Sequence, residues 1–301
     1  MLNFIVINTK RYTLVRNGST NSTIMSCLCT EGQVVHTLPE GRPVWGVTTL
    51  RGEIYVLRPK GGRDQVEVYD VITYLLQRYL TVPDIRGFID MTSCEHFLCL
   101  YISDPILECV HRLDVQSNAT KWPVSDKPRG LSVNAGHNLI VTCRKVRKIK
   151  EFSPLGHLLR DITLPHEVTN PWHTIQLTSG QFVVCYGNID DPVQGVCTVS
   201  ADGRQIVHSH GGPKGSDTGH YNGPIHLAVD NDFLFVADFN NRRVTLLSPT
   251  LNYVRQVVSR DQVKWMPWTL CLDIQRRRLY VTDIELKDGK YTAGRVVVFR
   301  V

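Results

Sequence analysis

Six segments set 42, 43, 43, 53 and 43 residues apart predict that this 301-residue chain is an all-β β-propeller. Three observations carry the prediction. The period is nearly constant. Each segment has the same shape: a turn residue, usually Pro, a short apolar strand, a polar turn and a β-branched strand. No stretch of comparable length shows a helical period with caps at both ends.

The segments read, in order, PVWGVTTLRGEIYVL from Pro43, IRGFIDMTSCEHFLCL from Ile85 and PRGLSVNAGHNLIVTC from Pro128. They continue as PWHTIQLTSGQFVVCY from Pro171, PIHLAVDNDFLFVAD from Pro224 and PWTLCLDIQRRRLYVTD from Pro267. Two further alternating strands follow within a unit, as in VEVYDVITYLLQRYLTVP, IKEFSPLGHLLRDITLP, CTVSADGRQIVHS and RVTLLSPTLNYVRQVVS. The long step holds a Gly/His-rich stretch between His208 and Gly223 whose composition predicts a flexible crossing loop. At the N-terminus, NFIVINTKRYTLVRN, IMSCLC and GQVVHTLPE fit the same strand order. The expectation is therefore one domain of seven repeats, near 1–42, 43–84, 85–127, 128–170, 171–223, 224–266 and 267–301. The alternative is six blades, with GQVVHTLPE completing the last blade and Met1 to Cys29 outside the ring.

Composition narrows the function classes. Apolar residues at 42% and charged residues at 21% are globular values, and a net charge of +6 permits an anionic partner without requiring one. No window reaches the roughly 18 apolar residues that span a bilayer, and no membrane role is expected. Most of the 9 cysteines sit in apolar runs such as QFVVCYG and WTLCLDI, so they read as small core residues and not as a disulfide framework. The start lacks a basic segment followed by a long apolar one, so a cytoplasmic location is expected and the sequons at Asn17, Asn21 and Asn118 idle.

The unit from Pro224, PIHLAVDNDFLFVADFNNRRVTLLSP, resembles the NHL repeat, with Asp238, Asn240, Asn241, Arg242 and Val244 on its motif positions. YVTD followed by GRVVVF echoes it more loosely, and the other repeats keep the spacing without the Asp or the N-N-R turn. The resemblance implies a propeller like the C-terminal domain of tripartite-motif ubiquitin ligases. The chain has no cysteine/histidine array of the RING or B-box kind, so no enzyme activity of its own is expected. It implies a noncatalytic platform that recruits a protein partner, with no cofactor and no DNA.

Some NHL propellers hold single-stranded RNA on a basic face, which makes RNA the alternative partner. Loops joining second to third strands share that face with the inter-blade loops. They place there Arg58, Lys60 and Arg63, then Arg144, Lys145, Arg147 and Lys148, then Arg242 and Arg243. Inter-blade Arg42, Arg86, Lys127, Arg129 and Lys264 join them, while Asp104, Asp190 and Asp191 break the positive field. The second alternative is a metal-dependent propeller lyase or lactonase. For it the weak ligand candidates are His173 and His226, each two residues past its anchor at the channel mouth. The equivalent positions by the same count are Trp45, Gly87, Gly130 and Thr269, which add no strong ligand. Trp45, Trp172, Trp265 and Trp268 lie near anchors and read as wedges between blades.

Overall fold

The computed structural model describes residues 6–8, 11–13, 31–60, 63–87, 89–116, 118–188 and 190–301, of which 6–8, 11–13, 60 and 63–65 are described by backbone alone. The remainder of the N-terminal strands expected before residue 31, with Cys27 and Cys29, lies outside the described residues. Within that region Val6–Asn8 and Arg11–Thr13 form a two-stranded antiparallel sheet of their own.

Six four-stranded antiparallel sheets make the ring. Their inner strands are Gly46–Leu50, Met91–Cys94, Pro128–Val133, Pro171–Gln176, Pro224–Asp230 and Met266–Asp273, in blades 1 to 6. Inner strands of consecutive blades touch all the way round, blade 6 meeting blade 1.

The count of seven is thereby corrected to six. Gln33–Thr37 is the outer strand of blade 6, paired antiparallel with Lys290–Arg300 through Val297↔Thr37 and Phe299↔Val34. The first and last predicted repeats are thus two pieces of one blade. The seven-repeat count arose because strand pattern reports a strand but not the edge it joins. Closing the sheet this way covers an edge that would otherwise template aggregation.

The core is six apolar slabs, each filling the gap between two neighbouring blades. Leu57, Val66, Leu100 and Ile102 fill the gap between blades 1 and 2, and Leu38, Val44, Val56, Tyr280 and Val298 that between blades 6 and 1. A blade is covered on both faces, so its middle strands are mostly apolar: Leu139–Cys143, in which Thr142 is the one polar residue, and Phe182–Tyr186 are buried throughout. The seven described cysteines are all unpaired, and six of them are buried.

A second device is polar. The second strand carries Arg58, Asp104, Cys143, Tyr186, Asp238 and Asp283 in blades 1 to 6, at its last residue in blades 2 to 5 and short of its end in blades 1 and 6, and each is buried. Asp283 accepts the amides of Lys264 and Trp265 from the preceding inter-blade loop and the guanidinium of Arg295, at 2.8–2.9 Å. Asp238 accepts the Asn222 amide, the Asn241 side chain and Arg243. Asp104 accepts the amides of Arg86 and Gly87. The strand-end Asp is thus kept in blade 2, contrary to the expectation that only two repeats retain it. Arg58 inverts the polarity, donating to the carbonyls of Pro39, Arg42 and Gly294 while paired with Glu67.

The His208–Gly223 stretch also departs from its prediction. Ile206–Pro213 is the outer strand of blade 4, and the following turn is held by Arg243 to the carbonyls of Ser216, Asp217 and His220 and by Asn241 to that of Gly215. Gly211 serves close approach: a Cβ there, where φ is +127°, would lie 2.4 Å from the Gln194 carbonyl oxygen.

Asp283→Ala would strand two loop amides and leave half-buried Arg295 without its counter-charge. A loss of about 3–5 kcal/mol is expected, read as a fall in the urea midpoint at unchanged slope.

Candidate binding site at the channel mouth

Cross-strand register defines which side chains share a level in the channel. His173 stands opposite Cys185, His226 opposite Ala237 and Gly46 opposite Leu57. Asp90 accepts the Ser103 amide through its carbonyl, which gives it the same place in blade 2. Gly130 and Thr269 complete the level. Two of the predicted equivalents, Trp45 and Gly87, are therefore replaced by Gly46 and Asp90. Counting from Ile85 failed because the link into blade 2 is longer and its inner strand begins only at Met91. Aligning I-D-M at 89–91 with I-H-L at 225–227 would have found Asp90.

His173 and His226 do meet, their ring centroids 3.9 Å apart, and Asp90 joins them. His226 Nε2 lies 3.4 Å from Asp90 Oδ1 and His173 Nε2 3.7 Å from Asp90 Oδ2, all three residues buried. The rest of the network sets the protons. His226 Nδ1 accepts the Leu270 amide, so its proton sits on Nε2, facing Asp90. His173 Nε2 donates to the Leu131 carbonyl, and its Nδ1 is buried without a partner. Asp90 accepts the amides of Met91 and Leu131 at 2.8 Å each. Burial, and then the repulsion that a protonated His226 would add, holds the His173 imidazole well below its ordinary range. Three donor atoms within 4.8 Å have the composition of a metal site. A hydrogen bond engages His173 Nε2 and His226 Nε2 faces Asp90, so as placed the group fits a polar hub better than a ligand set.

Above this hub the channel is roofed by aromatic rings. Trp268 makes edge contacts with Trp45 at 5.4 Å, Trp172 at 6.0 Å, Tyr291 at 5.4 Å and Phe239 at 5.6 Å, and Tyr291 also meets Trp45. Trp268 donates to the Ile89 carbonyl of blade 2, and Trp172 to that of Gly187. Three of the tryptophans read as inter-blade wedges instead converge on the axis; Trp265 stays peripheral, with Lys264 4.3 Å over its ring. Tyr291 arrives on a long hairpin, Arg278–Lys287 and Lys290–Arg300, turned at Asp288-Gly289 with φ of +49° and +73°. That D-G turn was the available signal for it. Ile89, Asp90, Gly130, Trp172, Ile225, His226, Trp268 and Thr269 line the pocket under the roof.

The basic residues divide. Arg58 is buried in its loop bonds. Arg242 spends its guanidinium on the carbonyls of Arg260, Val263, Lys264 and Trp265. Arg243 spends its own on Asp238 and three loop carbonyls. Arg147 donates to the His166 carbonyl, Lys148 pairs with Asp161 at 3.1 Å, and Lys145 is exposed. The backbones of Lys60 and Arg63 pair with each other, and their side chains lie outside the described residues. Arg144 lies against the aromatic roof, 4.2 Å over the Trp172 ring, joined by Arg129 at 4.9 Å. By sequence Arg129 reads only as an inter-blade loop charge.

No family model and no curated protein matches the sequence. Among solved structures, the chain is similar to Kuenenia stuttgartiensis hydrazine synthase, with 14% identity, TM-score 0.60, 89% of this chain and 98% of that one covered. It is similar to virginiamycin B lyase from Staphylococcus aureus, with 10% identity, TM-score 0.59 and coverages of 88% and 99%. A Bacteroides caccae protein of unknown function shares 12% identity at TM-score 0.57, with 77% and 86% covered. Likeness at these identities establishes the propeller fold.

Gly130→Ala would place a Cβ 2.6 Å from the Trp172 carbonyl oxygen and 2.7 Å from His173 Cα, both backbone. Thermal unfolding should show a clear destabilisation, with a changed tryptophan emission as the roof shifts. Stability should also depend on pH in one direction. Folded His173 resists protonation while the unfolded residue titrates near 6.5, so nothing is lost above that value. Below it the unfolded chain binds the extra proton, and stability falls by up to about 1.4 kcal/mol per pH unit from this residue. Urea midpoints measured from about pH 7.5 to 5 should fall, with a shallower decline in His173→Gln.

Proposed function

We propose that the chain is a noncatalytic recruitment module that grips a protein partner across its inter-blade face, centred on the channel mouth. One observation carries the reading: Trp45, Trp172, Trp268, Tyr291, Arg129 and Arg144 converge at the axis on that face. Tryptophan, tyrosine and arginine are the residues that dominate binding energy in protein interfaces. Exposed aliphatic residues occur on both faces, Ile106 and Leu286 on the inter-blade side and Leu155 and Ile274 opposite, and so do not choose between them. By its resemblance to the NHL repeat, the setting is a tripartite-motif-like ubiquitin ligase in the cytoplasm, with catalysis supplied by another domain or subunit.

RNA is the weaker partner in this reading. A single strand needs a track of free cations, and Arg58, Arg242 and Arg243 are engaged within the ring. A second reading, a metal-dependent propeller lyase, draws on the convergence of Asp90, His173 and His226 and on the unpartnered His173 Nδ1. Elemental analysis of the purified protein separates it: about one equivalent of zinc, lost in His226→Ala, would favour the enzyme.

The test of recruitment is photo-crosslinking in cell extract from probes at Ile106 and Leu286, against probes at Leu155 and Ile274. Discrete protein adducts should form from the first pair. Adducts confined to the second pair would move the platform to the other face and end the proposal.

A further inference from the structure

The side-chain chemistry around Trp172 goes beyond a generic docking face. Arg144 has one polar partner among the described residues, its Nε donating to Asn170 Oδ1 at 3.2 Å. Arg129 contacts the Trp172 ring, and no carboxylate stands within ion-pair distance of either arginine among the described residues. By contrast, buried Arg58 is matched by Glu67, and half-buried Arg243 and Arg295 by Asp238 and Asp283. The acid whose charge reaches Arg144 is Asp191, already held by the Asn188 amide and the Asn170 side chain. Burial lowers both guanidinium pKa values, that of Arg129 to about 10, with the charge of Arg144 contributing. Both remain cations at neutral pH.

Two like charges gathered in one partly desolvated recess oppose folding. A protein breaks a local rule of this kind where a ligand supplies the missing charge. The planar guanidinium fork matches a carboxylate, and the aromatic ring beneath holds it in orientation. We infer that Arg129 and Arg144, braced on Trp172, form an oxyanion subsite at the channel mouth that receives a carboxylate from an acidic segment of the protein partner. The inference rests on the recruitment reading and gives the partner its chemistry. Trp172, Trp268, Ile89 and Ile225 line the adjoining pocket. Asp90 at its base, its oxygens covered by the amides of Met91 and Leu131, keeps the anion at the rim. A carboxylate is favoured over an RNA phosphate because the site is one recess at the axis, and Arg58, Arg242 and Arg243 of the same face are bound within the ring.

The experiment titrates the full chain at low salt with a poly-glutamate peptide, with inorganic phosphate and with a mixed single-stranded RNA oligonucleotide, by calorimetry and tryptophan fluorescence. The peptide should bind. Arg129→Gln and Arg144→Gln should each weaken it by about 10-fold or more, and the exposed control Lys145→Gln by less than about 2-fold. Without ligand, Arg129→Gln should melt at or above the wild-type temperature, since a like-charge repulsion is removed. Absence of peptide binding, equal losses in the Lys145 control, or a lowered melting temperature for Arg129→Gln would each overturn the subsite. RNA or phosphate binding more tightly than the peptide would overturn the carboxylate. Protein adducts from Ile106 and Leu286 with no peptide binding would sink this inference while leaving recruitment standing.

Discussion

Everything in this ring depends on its closure. Each blade presents two apolar faces, and each face is buried only if a neighbour stands beside it. A missing contact anywhere would expose a slab such as Leu38, Val44, Val56, Tyr280 and Val298 to water. Stability is therefore a property of the circle and not of the sum of blades, unlike an open repeat array whose ends can be capped. Gln33–Thr37 bears a disproportionate share of that demand. It ties the start of the ring to its last sheet, across more than 250 residues of chain, a separation in which loop-closure entropy opposes the pairing before any contact rewards it.

The blade pattern was legible because it is local. Period, turn residues and mostly apolar second strands all follow from a sheet buried on both faces. What was not legible is non-local. GQVVHTLPE reads as a strand in either register of the ring, and only its pairing with Val297 and Phe299 decides between six blades and seven. Asp90 was hidden for a related reason. Its level in the channel is set by its partner strand, and the extra residues between Ile85 and Met91 broke the count that served for His173 and His226. The D-G turn at Asp288-Gly289 was visible, but that its hairpin would lay Tyr291 on Trp45 and Trp268 was not.

Charge was the least faithful guide. Loop arginines on one face of a propeller look like a binding surface when each is counted as a free cation. Inter-blade loops, however, carry backbone amides and carbonyls that the sheets cannot satisfy, and buried groups of this kind need partners. Asp104, Asp238 and Asp283 answer the amides, and Arg58, Arg242 and Arg243 the carbonyls. The same residue types that would bind phosphate are thereby consumed in holding the ring together. A basic residue in such a fold argues for a ligand only after its internal bonds are counted.

By that standard the channel mouth stands apart from the rim. The ring is close to sixfold in its backbone, yet its central level is Gly46, Asp90, Gly130, His173, His226 and Thr269, and the level above is Trp45, Ile89, Arg129, Trp172, Ile225 and Trp268. Packing explains part of the asymmetry: Gly130 is small because His173 and the Trp172 carbonyl occupy the space a Cβ would need. It also explains why the roof is aromatic, since large rings span an axis that short aliphatic chains would leave open. It does not explain Arg129. An aliphatic residue there would cover Trp172 as well and would spare the repulsion from Arg144, so the charge itself is what the position retains.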